Sequence, residues 1–235
     1  MKAVILAGGF GTRLTEETKT KPKPLVKIGN KPIIWHIIKI YSHFGIKDFI
    51  ICLGYKGNLI KEELNKLNHH NKWHIKYVNT GLMTMTGGRV KKIKKFIGND
   101  KHFYLSYGDG LCDVDLNKLT KFHIKNDKIA TLTAVKYKNP KGVLLINRSS
   151  RITKIKEKPL EYINGGFFVL SKKIFLYLKN NQTIFERDCL PVLSKKKQLM
   201  AFKHNGFWGC MDTLREKKEL NKIWKSDNKA WKVWQ

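Results

Sequence analysis

Through its first 135 residues the chain alternates short apolar runs with segments of helical spacing, and this alternation constrains the fold more than any other feature. Lys2–Leu6 predicts a strand. Ile33–Phe44 places Ile33, Ile34, Ile37, Ile38, Tyr41 and Phe44 at helical spacing, with Gly45 as the cap. Phe49–Leu53 is a continuous apolar run, as expected of a strand covered on both faces. Asn58–Leu67 repeats the helical pattern through Leu59, Ile60, Leu64 and Leu67. Further strands fit His74–Val78, His102–Ser106 and Ile129–Val135, and further helices fit Val90–Ile97 and Leu116–Ile124. Such an order predicts an α/β fold with a mostly parallel sheet flanked by helices. Its ligand should lie beyond the carboxyl ends of the strands.

From about Gly142 the texture changes. The segment GVLLINRSSRITKIKEKP reads as a hairpin turning at Asn147–Ser150. A strand (Gly166–Leu170), two helical stretches, a strand (Leu199–Lys203) and a final helix through Leu214, Leu220, Ile223 and Trp224 follow. We expect one domain over 1–235, with residues 1–135 as its α/β half and 136–235 as a smaller β-rich lobe plus the last helix.

The first strand runs into Gly8-Gly9-Phe10-Gly11-Thr12-Arg13. This cluster lacks the Gly-Lys-Ser/Thr ending of a P-loop. Counted from Gly9, Leu14 takes the third glycine position of the dinucleotide fingerprint. What remains is either a plain glycine turn or a loop whose amides face an anion at a strand end. Arg13 and Lys23 favour the anion, one as a planar fork and the other as a compact charge.

The formal charge of +29 invites a nucleic-acid reading. Nearly all of it is lysine spread along the whole chain, and arginine is scarce. A background bias that helps attract small polyanions accounts for it without a nucleic-acid partner. No apolar run approaches the roughly 20 residues that span a bilayer, so no membrane is expected. Ala3–Ala7 is too short for a signal-peptide core. The four cysteines, Cys52, Cys112, Cys189 and Cys210, form no CxxC pair. Reduced thiols in the cytoplasm are the expectation.

Leu6 to Leu14, followed by Lys21-Pro22-Lys23-Pro24-Leu25, resembles the signature of the sugar-phosphate nucleotidyltransferases, and the resemblance covers essentially the whole chain. The segments KPIIWHIIKIYSHFGIKDFIICLGYKGNLIKE, MTGGRVKKI, YGDG, INGGFFVL and FWGCMDTLREK are most similar to the members that use CTP and glucose 1-phosphate. The resemblance implies the nucleotide-diphospho-sugar transferase fold, Rossmann-like with a sugar-binding lobe, and a homo-oligomer. It also implies that a sugar-phosphate oxygen attacks the α-phosphorus of CTP, giving CDP-glucose and pyrophosphate with Mg²⁺ as cofactor. Uridylyl or thymidylyl transfer to a hexose 1-phosphate is the alternative within the family. Beyond it stand a basic nucleic-acid-binding protein and a catalytically silent regulator.

By the same resemblance Leu6, Gly8, Gly9, Gly11 and Thr12 hold the nucleotide. Arg13 neutralises the leaving pyrophosphate, and Lys23 sits on the α-phosphate. The run Thr86, Gly87, Gly88 and Arg89 borders the base. Glu157, Lys158, Asn164 and Gly165 contact the sugar phosphate, and Asp109 and Asp212 bind the metal. Read alone, Asp109 is a Gly-Asp-Gly turn at a strand end, and Asp212 is a helix cap for Thr213 onward. Thr86–Arg89 alone is a helix-entry turn, and Glu157-Lys158 a strand end of alternating charge. The chain departs from the family pattern by short stretches at Leu67–Thr80 and Glu157–Asn164, and by Gly209-Cys210 where Gln-Pro is usual. His69, His70 and His74 suggest a solvated loop more than a metal cluster. Trp208, Trp224, Trp231 and Trp234 suggest core or interface positions.

Overall fold

A computed structural model of the chain describes residues 1–68, 71–139, 141–227 and 229–234. Seven strands form the central sheet: β1 (Ala3–Leu6), β2 (Asp48–Leu53), β3 (His74–Asn79), β4 (His102–Tyr107), β5 (Ala130–Lys138), β6 (Leu160–Ser171) and β7 (Leu199–His204). Their spatial order is β7-β5-β6-β4-β1-β2-β3. Every pairing is parallel except the two made by β6, which runs against β4 and β5.

Alternation along β1 shows how the sheet is covered. Ala3 and Ile5 point into one apolar cluster, which contains Ile34, Ile37, Ile38 and Tyr41 of the helix Ile33–His43. Val4 and Leu6 point into the other, which contains Val90, Ile93 and Ile97. Both faces of the strand are therefore buried, as its unbroken apolar run requires. Each fully buried Ile, Leu or Val side chain contributes about 1.5–3 kcal/mol.

Several elements differ from the sequence reading. The helix expected over Val90–Ile97 begins at Thr86 and is interrupted at Ile93, giving Thr86–Lys92 and Lys94–Ile97. Its start is fixed from outside, because the Met85 amide donates to Asn181 O (2.9 Å) and the Gly88 amide to Thr183 O (3.1 Å). The strand expected at Gly166–Leu170 is the second half of the twelve-residue β6. The 135/136 division falls inside β5. The hairpin forms as expected from Val143–Ile146 and Ile152–Lys156. His69 and His70 lie outside the described residues. His74, read as part of a solvated loop, opens β3 instead, with Nδ1 3.1 Å from Asp48 Oδ1 on the adjacent strand.

The C-terminal segment closes over a buried imidazole. Trp231 donates its indole N–H to His36 Nδ1 (3.3 Å), which leaves the His36 proton on Nε2, 3.0 Å from Ile28 O. Trp224 stacks on Trp231, and Trp231 and Trp234 are buried. Burial pushes the His36 pKa down to about 4.

Candidate active site

The parallel strands β1 and β4 end side by side at Leu6 and Tyr107. The loops that leave them open onto a cleft of about 680 Å³, a size suited to a small ligand. The glycine loop forms one wall, Leu82–Thr86 another, and Trp208, Cys210 and Asp212 close the far side. A bulge in β6 completes it. The register with β5 shifts between Asn164 and Phe168, and Gly166 adopts φ +77°, which a glycine tolerates without strain. The bulge turns Asn164 and Gly165 toward the cleft.

A charged cluster lies at the centre. Lys23 follows Pro22 in the short 3₁₀ turn Lys23–Leu25 and is buried. Its Nζ lies 2.5 Å from Asp109 Oδ2 and 2.5 Å from Asp212 Oδ1. Arg13 Nη1 donates to the other oxygen of Asp212 at 2.7 Å. Burial works against the Lys23 charge, but the two carboxylates outweigh it and raise the ammonium's pKa. Asp109 leaves the end of β4. Asp212 precedes the helix Leu214–Lys225, and Thr213 takes the cap in its place through a reciprocal capping box with Glu216. The cap reading of Asp212 is thereby corrected, and its carboxylate is turned to Lys23 and Arg13 in the cleft. Two carboxylates converging on one point are an oxygen donor set that suits a hard divalent cation.

A second polar group faces the cleft from the turn Phe185–Cys189. Glu186 accepts from Tyr107 Oη (2.5 Å) and from Thr86 Oγ1 (2.7 Å), and Asn164 Nδ2 donates to Tyr107 Oη (3.1 Å). Burial and the Glu186 carboxylate both raise the Tyr107 pKa, so the phenol stays protonated and donating. Trp208, read as a core or interface residue, lines the cleft and donates to Gly165 O (2.8 Å).

The structure brings most of the expected site residues together. Leu6, Gly8, Gly9, Gly11, Thr12 and Arg13 line one side of the cleft. Lys23, Thr86, Asp109, Asn164, Gly165 and Asp212 line the rest. Gly87 and Gly88 do not line it; they lie against Thr183 and Asn181, where a side chain would collide. Glu157 and Lys158 also stand apart, with side chains 74 % and 54 % exposed just beyond the hairpin. Glu186 and Tyr107 were not anticipated from sequence, whereas Arg89 closes the run that the resemblance sets beside the base.

The nucleotidyl transferase family model matches residues 2–225. The chain belongs to the nucleotidyl transferase family. This transferase is 45% identical over 258 aligned residues, covering 100% of both chains, to the protein named glucose-1-phosphate cytidylyltransferase in Salmonella typhimurium. It is 44% identical, again over the full length of both, to the protein of the same name in Salmonella typhi. Among solved structures it resembles HddC from Yersinia pseudotuberculosis, with a TM-score of 0.77 and 28% identity over 95% of this chain and 99% of that one. HddC has also been solved in complex with GMP-PN. Among the described residues no helix of the transferase is long and apolar enough to cross a membrane.

Proposed function

We propose that the protein transfers a cytidylyl group from CTP to α-D-glucose 1-phosphate, giving CDP-glucose and pyrophosphate. The observation that carries this reading is the convergence of Lys23, Asp109 and Asp212 beside the glycine loop, in a chain alignable end to end with glucose-1-phosphate cytidylyltransferases. We assign Mg²⁺ to Asp109 and Asp212. When bound, it supplies Lewis-acid stabilisation of charge on the reacting phosphates.

The remaining work falls to the chain. Both reactants are anions, so the barrier is largely repulsion and positioning. Amides of Gly8, Gly9, Gly11 and Thr12 cradle the triphosphate. One oxygen of the sugar phosphate bonds to the α-phosphorus while the bond from that phosphorus to the bridging oxygen breaks. Pyrophosphate leaves with the electron pair. The nucleophile is already ionised, so no general base is needed, and no histidine lines the cleft among the described residues. Lys23 stabilises charge at the α-phosphate and Arg13 at the leaving group. Asn164 and Gly165 are assigned to the sugar phosphate and Thr86 to the base, because these line the cleft, whereas Gly87, Gly88, Glu157 and Lys158 do not. The whole chain acts as one catalytic unit in the cytoplasm, where its four free cysteines stay reduced.

We also assign a homo-oligomer. Leu144, Ile146, Ile152 and Ile155 share one face of the projecting hairpin and are 49–65% exposed, an apolar surface that favours burial against a second copy. A sedimentation mass of 27.4 kDa, that of one chain, would refute this.

The test of function is pyrophosphate release with glucose 1-phosphate and Mg²⁺, offering CTP, UTP, dTTP and ATP separately and EDTA as control. EDTA-sensitive release with CTP alone is expected. Release with UTP or dTTP instead overturns the base assignment, and silence with all four overturns the reaction.

A further inference from the structure

The short strand Gly110–Cys112 follows the Asp109 turn, and its far end comes to rest beside His204, the last residue of β7. His204 Nε2 lies 2.8 Å from Asp113 Oδ1. The Cys112 sulfur joins them: one ligand atom from each of the three side chains lies within 4.8 Å of the other two. His204 stands 91 residues from Asp113, so no local spacing announces the group. Phe207 O, 3.3 Å from the same imidazole nitrogen, adds a backbone oxygen. The surroundings are shaped to this cluster. The Asp113 amide donates to Phe207 O (3.3 Å) and draws the loop 205–207 over the two side chains. A Cβ at Gly206 would collide with the Asp113 carboxylate and with the His204 ring. Cys112 is fully buried, whereas the Asp113 side chain is 31% exposed and leaves an entry path for an ion. Burial pushes the Cys112 thiol up, and hydrogen bonding from the Val114 and Asp113 amides opposes this by favouring the thiolate. A bonded dication holds such a sulfur as thiolate outright. Sulfur, imidazole nitrogen and a single carboxylate oxygen suit a borderline-soft dication, whereas Mg²⁺ prefers oxygen alone. Donors bonded to Zn²⁺ at about 2.0–2.3 Å stand about 3.5 Å apart, so the cluster has to tighten by no more than about 1 Å.

We propose that Cys112, Asp113 and His204 form a Zn²⁺ site separate from the cleft, with its fourth position open to water or the Phe207 carbonyl. On binding, the Cys112 S–H bond breaks, the sulfur keeps the electron pair and bonds to zinc, and the proton goes to solvent. The imidazole stays neutral, with its proton on the ring nitrogen that does not face the ion. The role is structural. Gly110–Cys112 pairs with Trp208–Cys210, Cys112 opposite Trp208 and Gly110 opposite Cys210. The ion clamps one end of this ribbon to β7, while Asp109 and Asp212 flank the other end. The site does not depend on which group the protein transfers.

The test uses the intact protein, dialysed against EDTA and then against metal-free buffer. Co²⁺ is the spectroscopic probe and Zn²⁺ its competitor, with excess Mg²⁺ present throughout to occupy all-oxygen sites. The parent should develop a thiolate-to-cobalt charge-transfer band in the near ultraviolet that saturates at one Co²⁺ per chain, and Zn²⁺ should bleach it. Cys112→Ser should lose the band, whereas Cys210→Ser, which alters the thiol that lines the cleft, should keep it. His204→Gln should weaken Zn²⁺ binding at least about tenfold, since even outer-shell partners of a metal ligand are worth that much. If Cys112→Ser does not fold, His204→Gln and Asp113→Asn decide, each expected to weaken Zn²⁺ and the cobalt band together. No band in the parent overturns the site. So does a band that survives Cys112→Ser or vanishes with Cys210→Ser, and so does parental Zn²⁺ affinity in a folded His204→Gln protein.

Discussion

Replacing Lys23 by Met tests the centre of the cleft, because two consequences of opposite sign follow from one contact. Lys23 Nζ lies 2.5 Å from a carboxylate oxygen of each of Asp109 and Asp212. Its raised pKa keeps it charged through the neutral range. Loss of a preorganised cation at the α-phosphate costs about 100- to 1000-fold in turnover, or ~2.7–4 kcal/mol. The same substitution leaves Asp109 without its ammonium partner and Asp212 with Arg13 alone. A unit charge about 4 Å away is worth ~4 kcal/mol at an effective dielectric constant of 20. Water and salt reach these partly exposed carboxylates and screen most of that. Mg²⁺ should therefore bind Lys23→Met about tenfold more tightly, ~1.4 kcal/mol, even as turnover collapses. Turnover is read as pyrophosphate release at saturating substrates, and affinity by titrating Mg²⁺ into nucleotide-free protein. A folded variant with turnover within threefold of the parent, or with weakened Mg²⁺ binding, refutes the reasoning.

Three further outcomes are expected. Asp109→Asn or Asp212→Asn should keep the fold and lower turnover at least about 100-fold; near-parental, metal-dependent activity in either would remove that residue from the metal site. His36 titrates near 4 in the folded protein, below its usual 6.5, so the unfolded chain takes up the proton first as pH falls. The associated stability is intact above pH 6.5 and is lost between 6.5 and 4, amounting to about 2 kcal/mol between pH 7 and 5. Urea melts of His36→Gln should show a correspondingly shallower pH dependence, and a slope equal to the parent's would refute this. Thr213→Ala should cost about 1 kcal/mol through loss of the capping box, measured as a lowered urea midpoint.

What could be read from sequence follows from how far apart the interacting groups stand. β1, β2 and the helix Ile33–His43 were legible because each is buried along its own length, so local periodicity reports the tertiary environment directly. The capping box was legible in principle, since Thr213 and Glu216 stand at the required spacing. The contacts of Arg89 were not legible: Gly8, Leu53 and Gly81 come from three parts of the chain that only the sheet topology brings together. Glu186 had no local signature either. Its partners, Tyr107 and Thr86, lie 79 and 100 residues away. The helix start at Thr86 is held by loop 180–183 packed on Gly87 and Gly88, glycines that propensity alone counts against a helix. At Glu157 and Lys158 the local pattern of alternating charge carries no information about distance from the cleft, which the hairpin sets.

The charge distribution separates attraction from recognition. The chain carries +29, yet the charged groups lining the cleft are Arg13, Lys23 and Arg89 against Asp109, Glu186 and Asp212, three of each sign. A formally neutral cleft does not hold two anionic substrates by bulk charge. The surface lysines can raise the local concentration of polyanions and speed their arrival, an effect that decays within about 10 Å at 0.1 M salt. Seating must come from arrangement. Arg89 and the glycine-loop amides lie on one side. Lys23 is shared between the two carboxylates at the centre, and Glu186 is held by hydroxyl donors away from both. Charges of both signs held in fixed positions discriminate between a phosphate and a hydroxyl along the same cleft, which a uniformly basic groove could not do.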